Sequence, residues 1–229
     1  MLLHIPHSSL NLNGVEDKNN EAQMVADLYT EELFYHPYSD IITFKYNRLF
    51  CDVERFEDDS MNHFKRGICY EKYLDGSDIN KSDSQRTEAL RAYRQHHDNL
   101  YYAVNAQLSF EDTVTIVDCH AYSSIPLPFE DAIKERPQVC IGYDDFHKID
   151  NLEEIIAIIS DYGYSCGINT PYEGSLVPIE YYNVDSNVKS IMIELRKDIY
   201  MNEETFEKTK DFTKVKTMVS DILTIISYR

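Results

Sequence analysis

Short apolar runs alternate with longer segments of helical spacing along this chain. The apolar runs are bounded by turn-forming or polar residues and predict strands over 2–6, 40–44, 48–53, 113–119, 138–141, 164–169 and 190–195. Apolar residues three and four positions apart predict helices over 21–34, 84–108, 151–162 and 202–227. Because buried strands alternate with helices, the pattern predicts an α/β domain with a largely parallel or mixed sheet.

Two of the predicted helices have a defined apolar face. The helix over 84–108 can be capped by Asp83 or Ser84. Its recurring buried positions are predicted to be Leu90, Tyr93, His97, Leu100 and Val104. The helix over 21–34 is predicted to bury Val25, Leu28, Tyr29 and Leu33. The polar stretches 11–20 and 71–84 are predicted to be loops.

The net charge of the chain limits the classes of partner that we expect it to bind. The 40 acidic and 22 basic residues give a net charge of −18. Nucleic-acid binding depends on Lys and Arg neutralising phosphates, so nucleic acids and anionic membranes are not expected as partners. No apolar run reaches the ~18 residues of a membrane span, and MLLHIPHSSL is not a secretion signal. We therefore expect one domain, 1–229, in the cytoplasm.

The five cysteines are odd in number and form no CxxC pair. Buried, reduced thiols in a reducing compartment are the expected state. Cys119 and His120 are neighbours in sequence, which suggests a Cys/His nucleophile pair. However, adjacent residues on a strand point to opposite faces of the sheet, so this pair is not expected to meet.

Polar residues cluster where the predicted strands end. Five segments show this pattern: 4–9, 48–55, 118–124, 169–175 and 191–201. A buried charge costs several kcal/mol unless it is paired or bound to a metal. Because open α/β sheets place their sites beyond the strand ends, these clusters predict one shared polar pocket.

The histidines in these clusters are candidate metal ligands. Pro6 ends the first predicted strand, which puts His7 at the mouth of the pocket and His4 inside the sheet. His120 has the same position as His7 at a second strand end. A catalytic zinc needs a third protein ligand, for which Asp27 and Glu31, one helical turn apart, are candidates. The alternatives are structural histidines and a solvated acidic helix face.

The remaining candidates each have two readings from spacing alone. Glu194 follows a buried apolar run and is either a general base beside a metal or the partner of Arg196 in an ion pair on one strand face. Arg48 and Arg55 either bind substrate carboxylates or belong to an internal salt-bridge network. The acidic members of that network would be Asp52, Glu54, Asp58 or Asp59.

The order and wording of these clusters resemble the N-formylglutamate amidohydrolase family. The motifs are HIPHSS, DLYTEELF, RLFCDVERF, IVDCHAY, RPQVCIGYDDFH, NTPYEGSLVPIEYY and SIMIELRKDIYM, and they extend from His4 to about Met201. The family is distantly similar to zinc carboxypeptidases and aspartoacylases. The resemblance implies a phosphorylase/hydrolase-like fold, a three-layer αβα domain with a central mixed sheet.

The resemblance also implies an activity. It is zinc-dependent hydrolysis of the amide bond of a small-molecule N-acyl amino acid, first of all N-formyl-L-glutamate to glutamate and formate. The alternatives are a related zinc hydrolase acting on another N-acyl amino acid, a peptide or a cell-wall fragment, and a non-catalytic relative that binds metal or ligand.

The family's functional residues can be carried onto matching positions of this chain. The zinc ligands would be His7, Asp27 and His120, with Ala26 in place of the family's Thr before the acid. Glu194 would be the general base, and Arg48 would stabilise the oxyanion. The substrate would be bound by Arg55, Arg196, Asn169 and Tyr172. Glu54 and Ala121 depart from the related patterns, which have Asn and Ser there, so an acidic substrate requires another cation to offset Glu54.

Overall fold

The structure, a computed structural model, describes residues 1–56, 59–132 and 134–228. Its strands are β1 (Leu2–Ile5), β2 (Asp40–Thr43), β3 (Val114–Tyr122), β4 (Val139–Gly142), β5 (Cys166–Ile168) and β6 (Val188–Arg196). Its α-helices are α1 (Glu21–Val25), α2 (Thr30–Leu33), α3 (Asp83–Leu108), α4 (Leu152–Asp161) and α5 (Phe212–Ser227).

The strands form one mixed sheet in the order β2-β1-β3-β6-β4-β5. All neighbouring pairs are parallel except β4 and β6, which are antiparallel. Helices α4 and α5 pack on one face of this sheet, and α3 packs on the other through Val104. The structure thus confirms the predicted α/β class and its αβα arrangement around a mixed sheet.

The register of the three central strands brings their polar residues to one face. His4 on β1 is paired with Asp118 on β3, and His120 on β3 is paired with Glu194 on β6. Paired residues share a face, and side chains alternate along each strand. All four therefore project from the α3 side. The intervening residues, such as Cys119, belong to the apolar core beneath α4 and α5, which confirms that Cys119 and His120 do not meet.

Two predicted elements are replaced by turns. The helix over 21–34 is interrupted between α1 and α2, where Tyr29 has a φ of 69° and the Asp27 N–H donates to the His7 carbonyl oxygen at 2.9 Å. The strand over 48–53 is absent. Asn47 prevents it, because its carbonyl oxygen accepts from the N–H groups of Phe50 and Cys51 and curls the chain.

Helix boundaries also differ from the prediction. The last helix starts at Phe212 rather than 202. Helix α3 is capped by Ser82, not by Asp83 or Ser84, in a capping box with Gln85. Its buried face consists of Ala89, Ala92, His96, Leu100 and Val104. The prediction was therefore one residue off over the first half of this helix, where small alanines rather than Leu90 pack inward.

Two further findings concern the whole described chain. The five cysteines are free, and Cys51, Cys119 and Cys140 are buried. Burial raises the pKa of the Cys119 thiol well above its ordinary value. In the described ranges, no helix has the length and apolarity that crossing a membrane requires.

The corrected face of α3 can be tested with two leucines. Leu100 is 0% exposed and Leu90 is 39% exposed. We expect Leu100→Ala to lower the free energy of unfolding by about 2–5 kcal/mol, because it leaves a cavity. Leu90→Ala should change it by no more than about 0.5 kcal/mol. Urea denaturation of both variants gives the comparison, and equal losses would contradict the observed face.

Candidate metal centre and active-site cleft

A cleft of about 1050 Å³ opens at the ends of the central strands. Its walls include His7, Asp27, His120 and Glu194. His7 follows β1, Asp27 lies in the break between α1 and α2, and the other two lie at the ends of β3 and β6. The strand-end clusters therefore share a pocket, as the sequence predicts.

Three donor atoms converge in the cleft. Oδ2 of Asp27 lies 3.6 Å from Nδ1 of His7 and 3.2 Å from Nδ1 of His120. All three residues are buried, and the donor atoms lie within 4.8 Å of one another. Nδ1 of His7 is a buried polar atom without a hydrogen-bond partner. Two imidazole nitrogens and one carboxylate oxygen are a donor set that suits zinc, so these residues can hold such a metal.

Each of the two histidines is oriented by a buried carboxylate. The Nε2–H of His7 donates to Oδ1 of Asp52 at 2.9 Å. The Nε2–H of His120 donates to Oδ1 of Asp118 at 2.9 Å. Since a carboxylate accepts only, the ring proton of His7 is assigned to Nε2, and its Nδ1 is left without a hydrogen-bond partner. The ring of His120 contacts carboxylates through both nitrogens, because its Nδ1 also lies 3.2 Å from Oδ2 of Asp27. Metal-binding histidines are commonly held in this way.

Asp52 is surrounded by hydrogen-bond donors. Its Oδ2 accepts from Nε and Nη2 of Arg48, at 3.1 and 2.8 Å, and from the Tyr70 hydroxyl at 2.5 Å. The Glu54 N–H donates to Oδ1 at 3.0 Å. Burial alone would raise the pKa of Asp52, but the charge of Arg48 and the contact with His7 hold that pKa well below its ordinary value.

A second group of side chains lies behind His120. The Nδ1–H of His4 donates to Oδ1 of Asp118 at 2.8 Å, and Nε2 of His4 lies 2.8 Å from Nε2 of His96. Oε1 of Glu54 is 3.3 Å from Nδ1 of His4 and has no hydrogen-bond partner. His4, Glu54 and Asp118 are also close enough to share a cation. His4 and Asp118 are hydrogen-bonded to each other, and Asp118 is hydrogen-bonded to His120, so these two residues support His120.

Glu194 faces the cleft, and no salt bridge joins it to a cation within the described part of the chain. It is 8% exposed, and its Oε2 is buried without a hydrogen-bond partner. Burial, helped by the negative charge of Asp27, raises the pKa of Glu194 to about 8. The alternative ion pair with Arg196 is absent, because the Arg196 Nε donates to Asp198 at 2.8 Å and its Nη1 donates to the Arg136 carbonyl oxygen. Arg196 does not line the cleft, so the structure does not bring this predicted substrate ligand to the site.

The other predicted substrate residues all line the cleft: Arg48, Arg55, Asn169 and Tyr172. The Nε of Arg55 is 3.7 Å from Oδ2 of Asp52 and has no hydrogen-bond partner. Asn169 holds the adjoining loop, because its Oδ1 accepts from the N–H of Tyr143 at 3.0 Å. The Tyr172 hydroxyl donates to Glu130.

The structure gives the positions of the residues in two alternatives from the sequence. Glu31 is exposed and accepts from the Ser8 hydroxyl at 2.5 Å, away from the two histidines that Asp27 contacts. In the network around Arg48 and Arg55, the structure includes Asp52, while Oδ1 of Asp59 accepts from the Met61 N–H. Asp58 lies outside the described residues.

The family model for N-formylglutamate amidohydrolase matches residues 1–201 of the chain. The chain belongs to the N-formylglutamate amidohydrolase family. The resemblance seen in the motifs is therefore confirmed. In this family member, the matched range contains all the donor residues, both orienting carboxylates and Glu194.

Two solved structures have a similar fold. One is an N-formylglutamate amidohydrolase from Ralstonia eutropha JMP134, which is 16% identical in sequence and has a TM-score of 0.81. The match covers 98% of this chain and 91% of the Ralstonia chain. The other is the gene product Atu2144 from Agrobacterium tumefaciens, which is 16% identical in sequence and has a TM-score of 0.64. The match covers 99% of this chain and 90% of the Agrobacterium chain. At such identities the likeness shows the fold. No curated protein sequence matches the chain.

The sequence reasoning missed the orienting roles of Asp52 and Asp118. The signal for Asp118 was present, since it lies two positions before His120 on one strand and so shares its face. No such signal existed for Asp52, which reaches His7 from a turn 45 residues away.

The role of Asp52 in this amidohydrolase predicts a specific acid sensitivity. Its lowered pKa means that its stabilising contribution is present above about pH 4 and is lost as the pH falls further. We expect Asp52→Asn to lower the unfolding free energy of the metal-free protein by about 3 kcal/mol at neutral pH. The difference from the parent should narrow below about pH 4, as measured by urea denaturation across pH.

The matched control is Asp144→Asn, a half-buried carboxylate of the same cleft. At neutral pH, its unfolding free energy should differ from that of the parent by much less than the Asp52→Asn difference. An Asp52→Asn difference that stays constant down to about pH 3 would contradict the linkage.

Proposed function

We propose that this chain hydrolyses the amide bond of N-formyl-L-glutamate, releasing formate and glutamate, with one zinc ion per chain. One observation carries the proposal. In a member of the N-formylglutamate amidohydrolase family, three metal-type donors converge beside an unpartnered buried carboxylate, Glu194. The substrate is a small molecule, which suits a cleft of about 1050 Å³. The cytoplasm, with its reducing conditions, suits the free cysteines.

His7, Asp27 and His120 are the residues that would hold the metal. The orphaned Nδ1 of His7 supports this role, as do the carboxylates that fix the far side of both rings. The chemistry that a bound zinc ion supplies is Lewis-acid activation of water and of the scissile carbonyl.

Glu194 is assigned to proton transfer. It acts in its ionised form, which the positive charge of a bound zinc ion would favour against the raised pKa of the metal-free site. Its Oε2 takes a proton from the attacking water as the water oxygen bonds to the formyl carbon. The same oxygen then gives that proton to the amide nitrogen as the C–N bond breaks, so that formate and a free amine leave. Its lack of a competing partner favours this role, because no internal ion pair has to break first.

The two arginines are assigned to binding negative charge on the substrate. Nε and Nη2 of Arg48 are held by Asp52, which leaves Nη1 for the oxyanion that develops on the formyl oxygen. Arg55 is assigned to a substrate carboxylate, since its Nε is without a hydrogen-bond partner. Asp52 contacts His7 and Arg48 together, so it places a metal donor and an oxyanion donor relative to each other.

The first prediction of this proposal concerns metal content. Purified protein should contain about one zinc per chain, and a chelator should abolish hydrolysis while leaving the secondary structure intact. His120→Ala should lose tightly bound zinc, whereas the exposed His63→Ala should retain it. Metal analysis by mass spectrometry makes the comparison. A full equivalent of tightly bound zinc in His120→Ala would exclude this donor set.

The second prediction concerns Glu194. Glu194→Gln keeps the shape of the side chain and removes the proton acceptor, so zinc content should be unchanged while kcat falls by about 10²–10⁴. Glu180→Gln, on an exposed residue outside the cleft, should behave as the parent. The readout is release of formate from N-formyl-L-glutamate. A Glu194→Gln rate within tenfold of the parent would rule out the general-base role.

A further inference from the structure

The cations of the cleft differ in how far their charge is balanced. Among the described residues, those that line it are Arg48, Arg55, Arg66, Lys134, Arg136 and Lys197. Each arginine forms a salt bridge with a carboxylate, at nitrogen–oxygen distances from 2.8 to 3.7 Å. Lys134 is exposed, so water can balance its charge. Lys197 is 4% exposed, and within the described ranges no salt bridge joins it to a carboxylate.

Lys197 is therefore buried without a salt-bridge partner among the described residues. Its Nζ donates to the Met24 carbonyl oxygen at 2.9 Å. An ammonium group has three N–H donors, so this bond satisfies one of them. Burial lowers the pKa of Lys197, an effect that the negative charge of Asp27 opposes. A buried charge without a counter-ion is costly, and an anion that enters the cleft removes that cost.

The position of Lys197 suits contact with substrate. It comes directly after β6, three residues beyond Glu194, and its hydrogen bond ties it to Met24, three residues before Asp27. Both Met24 and Lys197 line the cleft. The amine is thus held between the strand that carries the proton acceptor and the segment that carries a metal donor.

We propose that Lys197 binds one of the two carboxylates of the N-formylglutamate substrate. The proposal rests on the proposed function. Arg55 is the second cation with unused hydrogen-bonding capacity, at a buried Nε. Two such cations match the two carboxylates of N-formylglutamate. Lys197 thereby takes the role that the family resemblance implied for Arg196, whose guanidinium is bound by Asp198.

The test is Lys197→Met, which keeps the length of the side chain and removes its charge. Three substrates are compared. N-formylglutamate has both carboxylates, N-formylglutamine lacks the γ-carboxylate, and N-formylglutamate α-amide lacks the α-carboxylate. For N-formylglutamate, KM should rise about ten- to a hundredfold, with kcat within about threefold of the parent. For one of the two amides, KM should be the same in variant and parent, because the carboxylate that Lys197 binds is missing.

Lys81→Met is the matched control. Lys81 is also buried, and its Nζ also donates to a backbone carbonyl oxygen, that of Tyr70, but it does not line the cleft. If Lys197 only ties β6 to Met24, both variants should lose stability and neither should distinguish the three substrates. That result would overturn the proposal. Unfolding of Lys197→Met at the same or higher urea concentration than the parent, with the KM change, supports it.

Calorimetric binding of L-glutamate to the zinc-loaded protein separates this inference from the proposed function. If no N-formyl compound is hydrolysed, the proposed function is wrong. The role of Lys197 is tested separately, because a dicarboxylate site there requires the parent to bind glutamate at least tenfold more tightly than Lys197→Met does. Equal binding by the two proteins, or no binding by the parent, overturns the role of Lys197 whatever the hydrolysis assay shows.

Discussion

Burial of a carboxylate in the wall of the cleft constrains much of the site. Asp52 is fully buried and can be tolerated there only because donors surround it: the ring of His7, the guanidinium of Arg48, the hydroxyl of Tyr70 and the N–H of Glu54. Each donor is thereby fixed in place. The orientation of the His7 ring, the position of the arginine and the path of the turn that carries Asp52 all follow from satisfying one anion.

Asp118 repeats this arrangement on the neighbouring strand. It accepts from His120 and His4 through one oxygen, and its other oxygen accepts from the Leu176 N–H. The alternation of the strands makes this possible, since it places Asp118 and His120 on one face and apolar residues such as Cys119 on the other. The face under α4 and α5 is therefore apolar, whereas the face under α3 is apolar at Val114 and Ile116 and polar toward the strand ends.

The hydrophobic periodicity of the sequence was sufficient to predict the helices and strands that are buried along their length. The strands β1, β3 and β6 and the helix α3 all lie where the sequence predicts them, because apolar patterning and tertiary burial agree there. The prediction was wrong over 48–53, where the run is apolar but Asn47 captures its N–H groups. It was also wrong over 21–34, where the Asp27 N–H bonds to His7 rather than within a helix.

For the site, the sequence and the motif resemblance brought forward His7, Asp27, His120 and Glu194, which the structure places in one cleft. They could not show which side chains already have hydrogen-bond or salt-bridge partners within the protein. Arg196 is two residues from Glu194 and looked available, yet Asp198 holds it outside the cleft. Lys197 was not considered, since nothing in a sequence distinguishes a buried, unbalanced lysine from a solvated one.

The order of the strands in the sheet has a consequence for how the parts of the site come together. β6 is the last strand in the chain, yet it is inserted between β3 and β4 and pairs with both. The three metal-type donors lie within the first 120 residues, whereas Glu194 arrives on this inserted strand. The metal-type donors and Glu194 therefore come from segments far apart in the chain, and they meet where β6 pairs with β3.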